Sequence, residues 1–165
     1  MRYLLAFVTG FLLLGNLSAQ GQDIEEYKSL FILRFTKYIT WPQPADPIKI
    51  GILGNSKILP ALTRLAKKQD ANILVEKVDF VEEVKNFDMI VIPRSQQSNV
   101  RNIAPLVGSN SGIFVIAEEE FANDSITDIC FFVENQKLKF VIFKDRSSNK
   151  GFRINQRLLN LATIR

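Results

Sequence analysis

A chain of 165 residues has the length of one ordinary domain and can bury a core without help from disulfides or metals. Its 47% hydrophobic and 23% charged residues are globular proportions, which excludes a disordered chain. The formal charge of +4 comes from Lys and Arg spread along the sequence, so nucleic acid is not an expected partner.

The chain opens in the order of an export signal: Arg2, an apolar run over residues 4–14, Gly15 and Asn16, then Ser18 and Ala19. That run holds about 11 residues where a spanning helix needs about 20. Residues 1–19 are therefore expected to be a cleaved signal peptide, and residues 20–165 one exported domain. No cysteine stands at the end of the signal to take a lipid.

Ile24, Tyr27, Leu30, Phe31, Phe35, Tyr38 and Ile39 recur at helical spacing, predicting an amphipathic helix over 24–39 with Asp23 as its N-cap. Pro42, Pro44 and Pro47 then stop it, because proline lacks the amide proton a helix interior uses. Residues 48–54 read as a strand running into a tight turn, and Ile58, Leu62, Leu65 and Ala66 mark a helix over 57–68. The unit recurs as a strand over 72–78 with a short acidic helix at 81–84, and as a strand over 88–93 with a helical stretch at 97–106. Residues 112–117 supply another buried strand.

The pattern then changes. Apolar runs at 129–133 and 137–143, separated by Glu134, Asn135 and Gln136, predict a β-hairpin. Residues 144–150 read as a polar turn, and Phe152, Ile154, Leu158, Leu159, Leu161 and Ala162 can form one apolar helical face. Together these elements predict an α/β fold: a single three-layer domain, its sheet mostly parallel with helices on both faces and a C-terminal antiparallel hairpin.

The chain has no histidine, which removes Ser-His-Asp and Cys-His pairs and histidine-based zinc sites. It also lacks a glycine-rich phosphate loop. Glu118, Glu119 and Glu120 read as a solvated acidic turn rather than an acid–base pair. Cys130, the single cysteine, lies in an apolar run and is expected to be buried. No catalytic residue, metal ligand or cofactor is expected.

Binding is the better expectation, since ligands of open α/β sheets collect at the carboxyl ends of the strands, here residues 54–56, 93–96 and Ala117, Glu118 and Glu119. Gly54, Asn55 and Ser56 precede a helix whose amides could hold an anion, and Arg94 beside Ser95 adds a positive fork. Trp41, with Lys37 and Tyr38 at the end of the first helix, either anchors a loop in the core or presents an aromatic surface to a partner. Arg153 and Arg157 could share a face and meet an acidic partner.

The run of residues 30–42, with Phe35, Tyr38, Trp41 and Pro42 in an F-x-x-Y-x-x-W-P pattern, is followed by an I-G-I-L-G strand at residues 50–54. It resembles the opening of the YfiR family of exported bacterial proteins. Residues 88–93, 137–140 and 158–162 follow in family order. The hairpin departs from the common F-E-I-N by reading Phe140, Val141, Ile142, Phe143, and the cysteine pairs of some members are missing.

The resemblance implies a periplasmic, non-enzymatic repressor. Such a protein holds an inner-membrane diguanylate cyclase inactive through its periplasmic part, lowering cyclic-di-GMP and biofilm formation; a sensor kinase is the other candidate partner. Lys37, Tyr38, Trp41, Arg153 and Arg157 form the candidate partner surface, and a homodimer is a further candidate assembly. The alternative is a stand-alone periplasmic sensor of a small anionic or aromatic ligand held by Gly54, Asn55, Ser56, Arg94 and Ser95.

Overall fold

The computed structural model describes residues 19–43, 46–109, 111–119 and 125–165. Residues 1–18 of the expected signal peptide (1–19), Pro44 and Glu120 lie outside them.

Helix α1 spans Ala19–Tyr38 and continues into a two-residue strand, β1 (Ile39–Thr40). It begins before the expected cap, so the backbone at Asp23 is already helical. Strand β2 (Ile48–Leu53), helix α2 (Ile58–Lys68) and strand β3 (Ile73–Val78) form the first β-α-β unit. A 3-10 turn at Val81–Asn86 leads to β4 (Met89–Ile92). A second, at Arg94–Asn99, leads to the short helix α3 (Val100–Ile103). Strand β5 (Phe114–Ala117) precedes the hairpin of β6 (Ile129–Glu134) and β7 (Lys137–Ile142). The chain closes with α4 (Lys144–Asn149), β8 (Arg153–Ile154), α5 (Gln156–Leu159) and β9 (Thr163–Ile164).

The seven-stranded sheet has the order β3-β2-β4-β5-β6-β7-β9. Strands β3 to β6 run parallel, β7 is antiparallel to β6, and β9 returns parallel to β7. The fold class read from the sequence is therefore borne out, including the antiparallel hairpin. Asn135 and Gln136 both have positive φ, 50° and 62°. That pair makes the two-residue turn whose twist matches the flanking strands, and Glu134 belongs to β6 rather than to the loop.

Strand alternation sorts the core into two layers, since successive side chains point to opposite faces. Met89, Val91, Phe114, Ile116, Ile129, Phe131, Phe140 and Ile142 pack with α1, α2 and α5. Ile90, Ile92, Val115, Ala117, Cys130 and Val141 pack on the other face with Val84 of the 3-10 turn, Ile103 of α3 and Val107 just beyond it. Cys130 is buried, as expected. Gly51 sits where this second layer presses closest. A Cβ there would lie 2.6 Å from Val78 and 2.8 Å from Ile90, which explains the first glycine of the I-G-I-L-G strand.

Two readings of the C-terminal region change. Residues 144–149 are helical rather than a turn, because Ser147 and Lys150 are drawn inward by Asp128. This carboxylate, fully buried, accepts hydrogen bonds from Val115 N (2.8 Å), Ser147 Oγ (3.1 Å) and Lys150 Nζ (2.8 Å). Lys150 Nζ also donates to the carbonyls of Ile126 (3.0 Å) and Ile113 (3.4 Å). The final segment is not one helix. Its apolar residues are divided among β8, α5 and β9, each taken up by a different neighbour: β8 by β1, α5 by α1, and β9 by β7.

Candidate functional site

The direction of chain progression reverses between β2 and β4, the switch point at which open α/β sheets leave a crevice. Gly54, Asn55 and Ser56 follow β2 there, and Arg94 and Ser95 follow β4. Gly54 adopts φ 65° and the Gln96 side chain lies directly over it, so that a Cβ would stand 2.4 Å from Gln96 Nε2. Gln96 thus fills the switch point from within. Ser56 Oγ accepts the Ile58 amide at 3.2 Å, occupying one of the amides that would face an anion.

The open space lies further along the sheet. A cavity of about 730 Å³ is lined by Glu25 and Lys28 of α1, Arg94, Glu118 and Glu119, and the β6–β7 residues Cys130, Phe132, Leu138 and Val141, and reaches Thr163 and Arg165. Of the five residues expected to hold a ligand, Arg94 lines it; Gly54, Asn55, Ser56 and Ser95 do not.

Its charges are closely matched. Lys28 Nζ reaches Glu118 at 2.8 Å and Glu25 at 3.1 Å. Burial pulls the Lys28 ammonium down, but the Glu118 hydrogen bond and charge, with those of Glu25, hold it above the ordinary lysine range. Glu118 also accepts the Arg94 backbone amide at 3.0 Å, and Arg94 Nε pairs with Glu119 at 3.1 Å. Glu118 is therefore a nearly buried tie between α1 and the ends of β4 and β5, not the solvated turn the sequence suggested.

Sequence reasoning missed Lys28 and Glu25 as site residues. Their spacing of three reads as an ordinary surface pair on a helix, and no local signal announces a partner 90 residues away.

The second cluster lies at the end of α1. Strand β1 pairs antiparallel with β8, placing Thr40 opposite Arg153 and Ile39 opposite Ile154. Tyr38 O accepts the Asn155 amide at 2.9 Å, and Asn155 Oδ1 caps α5 by accepting the Arg157 amide at 2.9 Å. One corner thus gathers Lys37, Tyr38, Trp41, Arg153 and Arg157, the five residues assigned to a partner surface. Lys37, Arg153 and Arg157 are exposed, and Tyr38 and Trp41 are half-buried. Trp41 stands edge-on to Phe152 at 5.4 Å and to Phe114 at 6.2 Å, so its ring is held by the core.

Among the described residues no group of three His, Cys, Asp or Glu side chains is placed to hold a metal, and no helix is long and apolar enough to cross a membrane.

Two solved structures share the architecture. One is the ligand-free, open form of CD0873, a substrate-binding protein with adhesive properties from Clostridium difficile. It aligns with a TM-score of 0.56 and 13% identity over 84% of this chain. The other, a conserved domain protein from Vibrio cholerae O1 biovar El Tor, aligns with a TM-score of 0.55 and 12% identity over 85% of this chain. The chain spans 59% of the length of each, and at these identities the likeness is one of fold. No curated protein matches the sequence. The YfiR/HmsC-like (DUF4154) family matches it over residues 25–163, from the first cavity-lining glutamate to the last strand, and the chain belongs to that family.

Proposed function

We propose that this protein is a periplasmic regulator that represses a membrane-bound signalling protein, specifically a diguanylate cyclase, by binding its periplasmic part through the corner around β1 and β8. Family membership supports a periplasmic regulatory role in cyclic-di-GMP signalling. The observation that carries the choice of surface is the contrast between the two clusters. The cavity neutralises Lys28 and Arg94 internally, whereas Lys37, Arg153 and Arg157 are exposed and enter no ion pair among the described residues. Aromatic and arginine side chains together are also the composition of interaction hot spots.

Affinity capture from detergent-solubilised membranes of the native cells tests this. Wild-type bait is expected to recover an inner-membrane cyclase or sensor kinase, and Lys37→Glu/Arg157→Glu bait to lose it. These exposed charges make a cleaner control than Trp41→Ala, which would open the core. If folded wild-type bait enriches no membrane protein, repression by direct binding fails.

A second reading is favoured by the cavity itself. Its volume, its apolar wall of Phe132, Leu138 and Val141, and its charged rim fit a small amphipathic ligand. One solved structure of similar fold is that of a substrate-binding protein. In this reading Arg94 releases Glu119 to meet an anionic group. Calorimetric titration of small anionic and aromatic compounds, with Arg94→Ala as comparison, separates it from the first.

A further inference from the structure

The two segments that build the corner share a property. Positions 27–45 contain no acidic residue, and neither do positions 146–165. Folding lays the end of the first segment against the second through the β1–β8 pairing and the Tyr38–Asn155 hydrogen bond. Arg34 lies one turn before Lys37 and Tyr38 on α1 and is exposed. With Lys37, Arg153 and Arg157 it makes four cationic side chains at one corner, none of them in an ion pair among the described residues. Some exposed cations elsewhere are paired, Arg64 with Glu26, Lys77 with Asp79 and Lys139 with Glu134, and others such as Lys67 and Lys68 are not, among the described residues; what sets the corner apart is that four cations meet between two segments without an acid.

We infer that this corner takes an acidic polypeptide segment of the partner, with Arg34 as a fourth contact beside Lys37, Arg153 and Arg157. The inference rests on the protein-partner reading above and adds the partner's chemistry. Three of the four cations are arginines, whose planar fork meets a carboxylate through two parallel hydrogen bonds. An anionic membrane surface is the competing occupant, and the corner is poorly made for it. Membrane-surface sites bury exposed aromatic and leucine side chains beside their cations. Here Trp41 is held edge-on by Phe114 and Phe152, and the closing segment exposes two large apolar side chains, Leu161 after α5 and Ile164 on β9, neither of them aromatic. Against a polypeptide, the half-buried rings of Tyr38 and Trp41 would instead form a firm floor between the charges.

The test is an anisotropy titration of fluorescein-labelled octaglutamate with the protein purified from its native cells, at low and at physiological salt. Wild type is expected to bind, with affinity falling as salt rises. Arg34→Glu/Arg157→Glu is expected to weaken binding by about tenfold or more, a change of about 1.4 kcal/mol or more. Lys67→Glu/Lys68→Glu, at the exposed end of α2, makes the same change in net charge away from the corner and is expected to change binding by less than about threefold, the screening length being about 8 Å at physiological salt. Arg34→Gln/Arg157→Gln keeps the test valid if charge reversal disturbs folding.

Equal losses in both reversals would reduce the effect to net charge and overturn the inference. So would absence of peptide binding, or binding only to mixed phosphatidylglycerol–phosphatidylcholine vesicles. Capture of the membrane protein that survives Arg34→Glu/Arg157→Glu would leave repression standing while removing the corner. Failure of wild type to capture any membrane protein would remove repression while the peptide titration still reports on the corner.

Discussion

Lys150→Met is expected to destabilise the folded protein by about 3–5 kcal/mol, the usual cost of removing one member of a buried ion pair. The Lys150–Asp128 pair is sealed, with side-chain exposures of 4% and 0%. Methionine would leave the Asp128 carboxylate in the core with Val115 N and Ser147 Oγ as its donors among the described residues, and would remove the Lys150 donor from the Ile113 and Ile126 carbonyls. Because the two residues act as a unit, the added loss from Asp128→Asn in the Lys150→Met background should fall well short of what Asp128→Asn costs alone. Urea unfolding of the four proteins measures this. A loss below about 1 kcal/mol for Lys150→Met would show that the pair does not hold α4 to the sheet.

The pH dependence of that loss has a definite sign. Burial pushes the Asp128 carboxyl above the usual aspartate range, against the opposing pull of the Lys150 charge and hydrogen bond, the Val115 amide and the Ser147 hydroxyl. A carboxyl that binds its proton more tightly folded than unfolded adds stability as pH falls through its folded pKa, so Asp128 does not promote acid unfolding. Removing Lys150 deletes the largest opposing influence and raises the folded pKa further. The cost of Lys150→Met should therefore be greatest above that pKa and shrink as the solution is acidified. A cost that grows in acid would contradict this account of the pair.

Phe114→Ala should cost a similar amount, about 3–5 kcal/mol, through lost burial and the cavity left behind. Phe114 is fully buried, and its ring lies 5.0 Å from Phe152 and 6.2 Å from Trp41. Its loss should loosen Trp41 and shift the indole emission to longer wavelength, a clean signal because the chain has one tryptophan. Phe114→Leu keeps most of the volume and should cost less than about 1.5 kcal/mol. Unchanged emission together with a loss under about 1 kcal/mol in Phe114→Ala would mean that Trp41 is not anchored by this cluster.

The pattern of strands was legible because each buried strand carries a contiguous apolar run, and α2 shows clear helical spacing. Asn135 and Gln136 announced the hairpin. Residues 144–165 were misread for a shared reason. Their structure depends on distant partners: Asp128 for α4, β1 for β8 and β7 for β9. A polar hexapeptide followed by scattered leucines carries no trace of them.

The candidate sites divide in the same way. Lys37, Tyr38, Trp41, Arg153 and Arg157 were each visible as residues, but their gathering at one corner required the β1–β8 pairing across more than a hundred positions. At the cavity, Arg94 was visible as a strand-end cation. Lys28 and the bridging role of Glu118 were not, since a long-range ion pair leaves no periodicity in the chain. Nor could the sequence show that Gln96 covers Gly54 and moves the open space from the switch point toward β6 and β7.

Repression is tested most directly by the cyclic-di-GMP content of native cells lacking this protein, compared with the same cells supplied with wild type or with Lys37→Glu/Arg157→Glu. The content is expected to rise on deletion, to return with wild type, and to stay high with the variant present in the periplasm at equal abundance. A content that deletion leaves unchanged would contradict repression of a cyclase by this protein.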